Sequence, residues 1–477
     1  MPEIISADYL VVGAGAMGMA FVDTLLADSS ATVAIVDRYH RPGGHWTVAY
    51  PFVRLHQPSA SYGVSSKHLG QDKIDEVGWN RGLLELASSD EILAYYGQVM
   101  EQTFLSSGRV SYFPKSEFDG ESGWRSLVTG KSFRIGKSTR IVDATYMKVT
   151  VPSMQPPAYR VDSGVQLVTP NDLTKVSRLY ANYTVVGAGK TGIDAILWLL
   201  KMGIEAASIT WIMPRDAWLL DRELLQPGRQ LTPRQVSGIQ RQGESIMTAT
   251  SVDDLFVKLE ARGSLLRVSE QFWPTRYRCA TVSRAELEQV RTIANVVRKG
   301  RVLQIGVDEI KLEHGEYTPV PDTLYVDCSA DGLAKHPSVP VFSGNRITLQ
   351  SVRQCQQVFS GAFIAHVEAT YGDDINIKNE MCKTVPHPDE VSDWLRVNLQ
   401  TNRNTIRWYA EPKTRAWLAH ERLDMMKGLL PPMPEDADEQ RAVLQGMGMQ
   451  LSAMSDQLEK LLGGLPQQEA DKTEANT

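Results

Sequence analysis

The stretch Asp8-Tyr9-Leu10-Val11-Val12-Gly13-Ala14-Gly15-Ala16-Met17-Gly18 decides the fold. A short apolar run that ends on glycine reads as a buried parallel strand. Gly13, Gly15 and Gly18 then spell G-x-G-x-x-G, and residues 17–27 carry helical spacing. The three glycines do different things. The first allows the tight turn, the second lets backbone approach a pyrophosphate, and the third lets helix pack closely on strand. The helix start offers unpaired N–H groups and the positive end of its dipole to an anion. Residues 32–36, rich in β-branched side chains, supply the next strand and complete a β-α-β unit.

Further along, the pattern returns. Residues 183–186 read as a strand, Gly187-Ala188-Gly189-Lys190-Thr191-Gly192 as the turn, 193–202 as the helix and 208–213 as the next strand. Two such units, each in a strand–turn–helix context, specify an α/β protein with two Rossmann-like dinucleotide-binding domains. The expected division puts the first part of one domain at 1–155, ending in the Pro-rich 151–157 crossing. The second domain covers 156–330, with a helical insertion at about 217–298. Residues 331–432 return to the first domain with helices, and 433–477 form an amphipathic helix and a disordered tail.

The residues around each turn separate the two ligands. The second strand of the first unit ends in Asp37, at about the 20-residue interval where an acid meets a ribose. A carboxylate there accepts from ribose hydroxyls and repels a 2′-phosphate. The following Arg41-Pro42-Gly43-Gly44-His45-Trp46 lets backbone lie along a flat cofactor with Trp46 beside it. This unit is therefore expected to hold FAD through Gly13, Gly15, Ala16, Met17, Gly18, Asp37, Arg38, Gly44, His45 and Trp46. In the second unit the strand runs Trp211-Ile212-Met213-Pro214-Arg215, with a cation where the acid stood. Arginine suits a 2′-phosphate, so Gly187, Gly189, Lys190, Thr191, Gly192 and Arg215 are expected to hold NADPH. Together the sites imply hydride transfer from nicotinamide to flavin.

With Gly43-Gly44-His45-Trp46, Tyr50-Pro51 and the second glycine motif in view, the chain resembles the two-dinucleotide-binding flavoproteins, most of all the flavin-containing and Baeyer–Villiger monooxygenases. The resemblance covers about 7–70 and 150–335 and includes an A-T-G-like turn at Ala330-Asp331-Gly332. It implies FAD, NADPH and oxygenation of a small molecule through a flavin (hydro)peroxide. Two departures stand out. At the spacing of the family fingerprint F-x-G-x-x-x-H-x-x-x-W-P the chain has Tyr159, Val161, Val165, Thr169 and Pro170, and after Tyr-Pro it has His56-Gln57-Pro58 in place of an acid or asparagine. His56, titratable near neutrality, is a candidate proton donor and Gln57 a candidate hydrogen-bonding partner near the flavin. A reductase or dehydrogenase without oxygen insertion stays open beside the monooxygenase.

Composition narrows the partners. The 477 residues carry a formal charge of −6 with no basic block, which leaves no surface for nucleic acid. The apolar start is too short for a membrane span and follows no signal-like segment, so no membrane is expected and a cytoplasmic location is. Cys279, Cys328, Cys355 and Cys382 form no C-x-x-C pair and read as four reduced thiols; no His/Cys spacing suggests a metal. Aromatics in the insertion (Trp218, Phe256, Phe272, Trp273, Tyr277) either line a substrate pocket or form its core. Leu444, Met447, Leu451, Met454, Leu458 and Leu461 recur every three or four residues. That seam fits a helix packed on its own chain or a homodimer contact.

Overall fold

The run Tyr9–Val12 becomes the middle of a six-stranded sheet, because its side chains are apolar on both faces. The order is Phe342–Ser343, Arg346–Thr348, Arg140–Asp143, Tyr9–Val12, Val33–Val36, Val110–Phe113, all parallel except the first, which is an antiparallel edge. The molecule is a computed structural model that describes residues 2–228, 230–330, 332–333, 336–427 and 433–465. Asp331 of the A-T-G-like turn and the tail past 465 lie outside the described residues.

One face of this sheet is covered by the helix Ala16–Asp28, whose residues Met17 to Leu26 are all buried. A helix buried all round needs a second helix on its outer side, and Gln357–Tyr371 supplies it. The two backbones approach so closely that a Cβ on Gly361 would lie 2.5 Å from the Met17 carbonyl oxygen. The other face is closed by a four-stranded sheet whose Trp124 and Phe133 stack, with Phe113 edge-on to Trp124.

The second unit is a five-stranded, wholly parallel sheet in the order Gln166–Val168, Thr323–Asp327, Asn182–Val186, Ile209–Ile212, Asn295–Val297. The chain thus folds as an α/β protein with two Rossmann-like units. It leaves the first sheet through Val149–Thr150 and returns through Gly332–Leu333, and these two crossings pair antiparallel.

To the helices expected at 217–298 (Thr232–Thr248, Val252–Ala261, Arg284–Arg291) the structure adds a three-stranded sheet of Ala217–Asp221, Leu265–Leu266 and Arg276–Val282. Trp218, Phe256 and Tyr277 are buried in this layer's core, whereas Phe272 and Trp273 are partly exposed at its surface. The helix Ala437–Gly463 lies over both halves. Its Leu444 and Met447 pack on the first core, and its Met454, Leu458 and Leu461 pack on the core of the inserted layer. Five of the seam's side chains thus face their own chain.

The thiol expectation needs a correction. Cys279, on the inserted strand, and Cys355, just before the Gln357–Tyr371 helix, form a disulfide; Cys328 and Cys382 are free and buried. The pairing is tertiary, across 76 residues, so sequence spacing carried no trace of it. No described helix is long and apolar enough to cross a membrane.

Candidate dinucleotide sites

The two glycine turns are geometric copies. Gly13 has φ +105 and Gly187 φ +125, a region open to glycine. Gly13 N–H donates to Val36 at 2.8 Å, and Gly187 N–H to Ile212 at 3.0 Å, so each turn hangs from the neighbouring strand. A Cβ on Gly18 would lie 2.2 Å from the Gly13 oxygen, and one on Gly192 would lie 2.2 Å from the Gly187 oxygen. Only glycine lets these helices seat on their strands.

The helix starts match as well. Gly15 caps Ala16–Asp28 at φ −79, ψ −178, and Gly189 caps Lys190–Lys201 at φ −78, ψ −179; neither cap offers a side-chain hydrogen bond. Elsewhere the same chain closes helix starts with full capping boxes, Ser88 with Glu91 and Ser283 with Glu286. The two glycine-capped ends have no side-chain cap, so an outside anion can meet their N–H groups. At Gly189 a Cβ would meet nothing within 4 Å, so that cradle is open; at Gly15 the nearest atom is the Gly44 Cα, at 3.6 Å.

Around the first turn, Gly43 N–H donates to Ala14 at 2.8 Å, which folds the Gly43-Gly44 loop over the glycines. Asp37 is buried and accepts from Ala14 N–H and, at 2.7 Å, from Tyr39 N–H. Burial lifts its carboxyl above the usual range, with those two donors opposing. Each carboxylate oxygen keeps room for a further bond, which a ribose hydroxyl fits. Arg38 is exposed beside it, and Ala16 and Met17 open the helix. Trp46 is a core residue: its indole N–H donates to Tyr62 Oη at 2.8 Å. His45 lies against that indole, and burial pushes its pKa down to about 4.

Around the second turn, Lys190 is paired with Asp194 one helical turn on. Trp211 Nε1 donates to the Gly187 oxygen at 2.8 Å. Arg215 is half-exposed and stands 3.7 Å from Glu390. The next residue, Asp216, is a buried acid at this strand end, and Arg298 holds it with two bonds of 2.8 and 3.1 Å.

A loop of the first unit reaches the Lys190–Lys201 helix of the second. Tyr50 Oη donates to Asp194 Oδ2 at 2.7 Å, and the Phe52 ring stacks on Trp198 at 5.2 Å. Burial and the Asp194 carboxylate hold the Tyr50 phenol well above its ordinary pKa. Arg222, fully buried, donates to the His56 carbonyl at 3.0 Å, to Asn80 at 3.1 Å and to Glu286 at 2.7 Å. His56 Nδ1 is buried without a partner. Burial first, then the Lys190 and Arg222 cations, push the His56 pKa down to about 3, against the pull of Glu286. That direction runs against a proton-donating role for His56 near neutrality. Gln57, beside it, is partly buried. Sequence reasoning missed Asp194, Arg222 and Glu286. The i,i+4 spacing of Lys190 and Asp194 was the one local signal; the Arg222 contacts are tertiary.

Paired glycine turns on two parallel sheets define an α/β protein of two Rossmann-like units. The chain belongs to the family of the uncharacterized protein Rv2000 of Mycobacterium tuberculosis (strain ATCC 25618 / H37Rv), to which it is 50% identical over 460 residues, 96% of this chain and 85% of that protein. Its likeness to the uncharacterized protein Mb2023 of Mycobacterium bovis has the same identity and extent. No family model matches the chain. Among solved structures it is similar to the open crystal structure of cyclohexanone monooxygenase, with 14% identity over 77% of this chain and 88% of that chain and a TM-score of 0.46. It is also similar to an oxidized steroid monooxygenase bound to NADP, with 14% identity over 96% and 98% and a TM-score of 0.43.

Proposed function

We propose that the chain is an FAD-dependent oxidoreductase reduced by NADPH, a monooxygenase of a small organic molecule, with 1–155 and 331–432 forming the FAD domain and 156–330 the NADPH domain. The observation that carries this reading is the pair of matching glycine turns without side-chain caps, with Tyr50 of the first unit bonded to Asp194 on the second unit's helix. Gly13, Gly15, Ala16, Met17 and Gly18 would take the FAD pyrophosphate, Asp37 the ribose, and Arg38, Gly44 and His45 the loop side; Trp46 supports that loop from the core. Gly187, Gly189, Lys190, Thr191 and Gly192 would take the NADPH pyrophosphate. Once bound, the nicotinamide supplies a hydride and the flavin accepts it.

The chain's own residues bind, orient and shield. Tyr50 fixes the flavin-side loop against the second helix. Lys190 neutralises phosphate charge when it turns from Asp194 to the anion. His56 carries a buried, unpaired Nδ1 on that loop, and Gln57 stands beside it. Arg215 would serve the 2′-phosphate. Its pairing with Glu390 is long and both side chains are about half exposed, at 42% and 53%. Such a pair contributes at most about 1 kcal/mol, so a phosphate dianion displaces it readily.

The test begins with an absorbance scan. The purified chain should be yellow, and NADPH without oxygen should bleach it; a colourless chain that takes up no FAD overturns the reading. Arg215→Ala should weaken NADPH far more than NADH, and equal losses would remove the coenzyme assignment. A reductase or dehydrogenase without oxygen insertion is favoured by Val161 and Val165, which replace the glycine and histidine of the family fingerprint. Oxygen-18 from dioxygen in the product decides for the monooxygenase, and its absence decides for the reductase.

A further inference from the structure

Away from both turns, the inserted layer carries a cleft of about 260 Å³ walled by Arg262, Arg267, Arg284 and Arg291, with Glu260 among them. Four arginines line it in a chain whose formal charge is −6, and Arg284 and Arg291 among them are exposed. Arg284 and Arg291 are the first and last residues of one helix, two turns apart and so on one face. Arg284 stands in the first turn, where the helix dipole disfavours a cation. Gly263, at φ +73, makes room for it: a Cβ there would lie 2.8 Å from an Arg284 terminal nitrogen.

The local carboxylates do not balance these charges. Glu260 pairs with Arg267 at 2.7 Å and Asp221 with Arg284 at 2.8 Å. Arg262 faces the exposed Glu244 at 3.4 Å and donates to the Arg241 carbonyl and Ser245 Oγ, each at 3.3 Å. Arg291 pairs with no carboxylate among the described residues; its Nε donates to the Val268 carbonyl at 2.9 Å and its Nη2 to that of Arg267 at 2.7 Å. Those two bonds fix the guanidinium plane, and the exposed side chain keeps its charge and remaining donors toward solvent.

We propose that this cleft binds a small dianion, a phosphate or a dicarboxylate, whose oxygens bridge the guanidinium donors of Arg284 and Arg291 that Asp221 and the two carbonyls leave over. The site is independent of the dinucleotide assignment. The experiment is calorimetric titration of the purified full chain with inorganic phosphate and, separately, malonate, in the presence of NADP and against sodium chloride at matched ionic strength. One saturable event is expected with at least one of the two anions, and the anion that gives it identifies the source. Arg291→Gln should weaken it at least about tenfold while circular dichroism stays unchanged, because Arg291 leaves no carboxylate unpaired. Arg284→Gln should do the same, and if it fails to fold, Arg291→Gln alone decides. Heat indistinguishable from chloride, or binding that Arg291→Gln does not change, overturns the proposal; the second result would place the anion at a glycine turn.

Discussion

His45 and His56 share one loop, and burial holds both in the neutral form, with pKa values near about 4 and about 3 against an ordinary 6.5. Between those values and 6.5 the unfolded chain binds more protons than the folded one. Stability from these groups is therefore fully present above about pH 6.5 and is lost as pH falls toward their folded values. Urea midpoints measured at about pH 7 and about pH 5 should drop on acidification. His56→Gln should shrink that drop, because glutamine takes no proton. An identical drop in the variant would assign the acid sensitivity to other groups. The same residue marks a limit of reading sequence. That His56 belongs to the segment after Tyr50-Pro51 was legible from its spacing. The direction of its pKa shift was not, because the burial that dominates it, and then the Lys190 and Arg222 cations, come from distant parts of the chain. Arg215 was likewise visible as a cation at a strand end, whereas its Glu390 partner was not.

At the scale of the element, the glycines of one motif separate into two kinds. Gly18 and Gly192 each face a backbone oxygen that a Cβ would approach to 2.2 Å. Alanine at either should push helix from strand and destabilise by about 3 kcal/mol, read as a lower urea midpoint. Gly189 faces open space, and its φ of −78 suits any residue. Gly189→Ala should fold with an unchanged midpoint yet raise the KM for NADPH at least about tenfold, because its methyl stands where the pyrophosphate would lie. A normal KM in that variant would remove the second turn from the proposed reaction. These units were legible because every part of the signal lies within about 30 residues. The three-stranded sheet at 217–282 was not, because Ala217–Asp221 pairs with Arg276–Val282 and neither segment alternates cleanly.

Across the whole molecule, the Cys279–Cys355 disulfide ties the inserted layer to the segment that leads into the Gln357–Tyr371 helix. Closing 76 residues in the unfolded chain corresponds to about 4 kcal/mol in the loop-entropy model. Thiol titration in denaturant should find Cys328 and Cys382 alone before reduction and all four cysteines after it. The reduced chain should unfold at lower urea. Four titratable thiols in the untreated chain would mean that the bridge does not form in solution.

The helix Ala437–Gly463 clasps two cores that are both encoded ahead of it. A ribosome therefore completes both Rossmann-like units and the inserted layer before it delivers the segment that fastens them. Until then the nascent chain exposes the apolar patches destined for Leu444, Met447, Leu458 and Leu461, a window in which holdase chaperones have a target and premature termination leaves a sticky product.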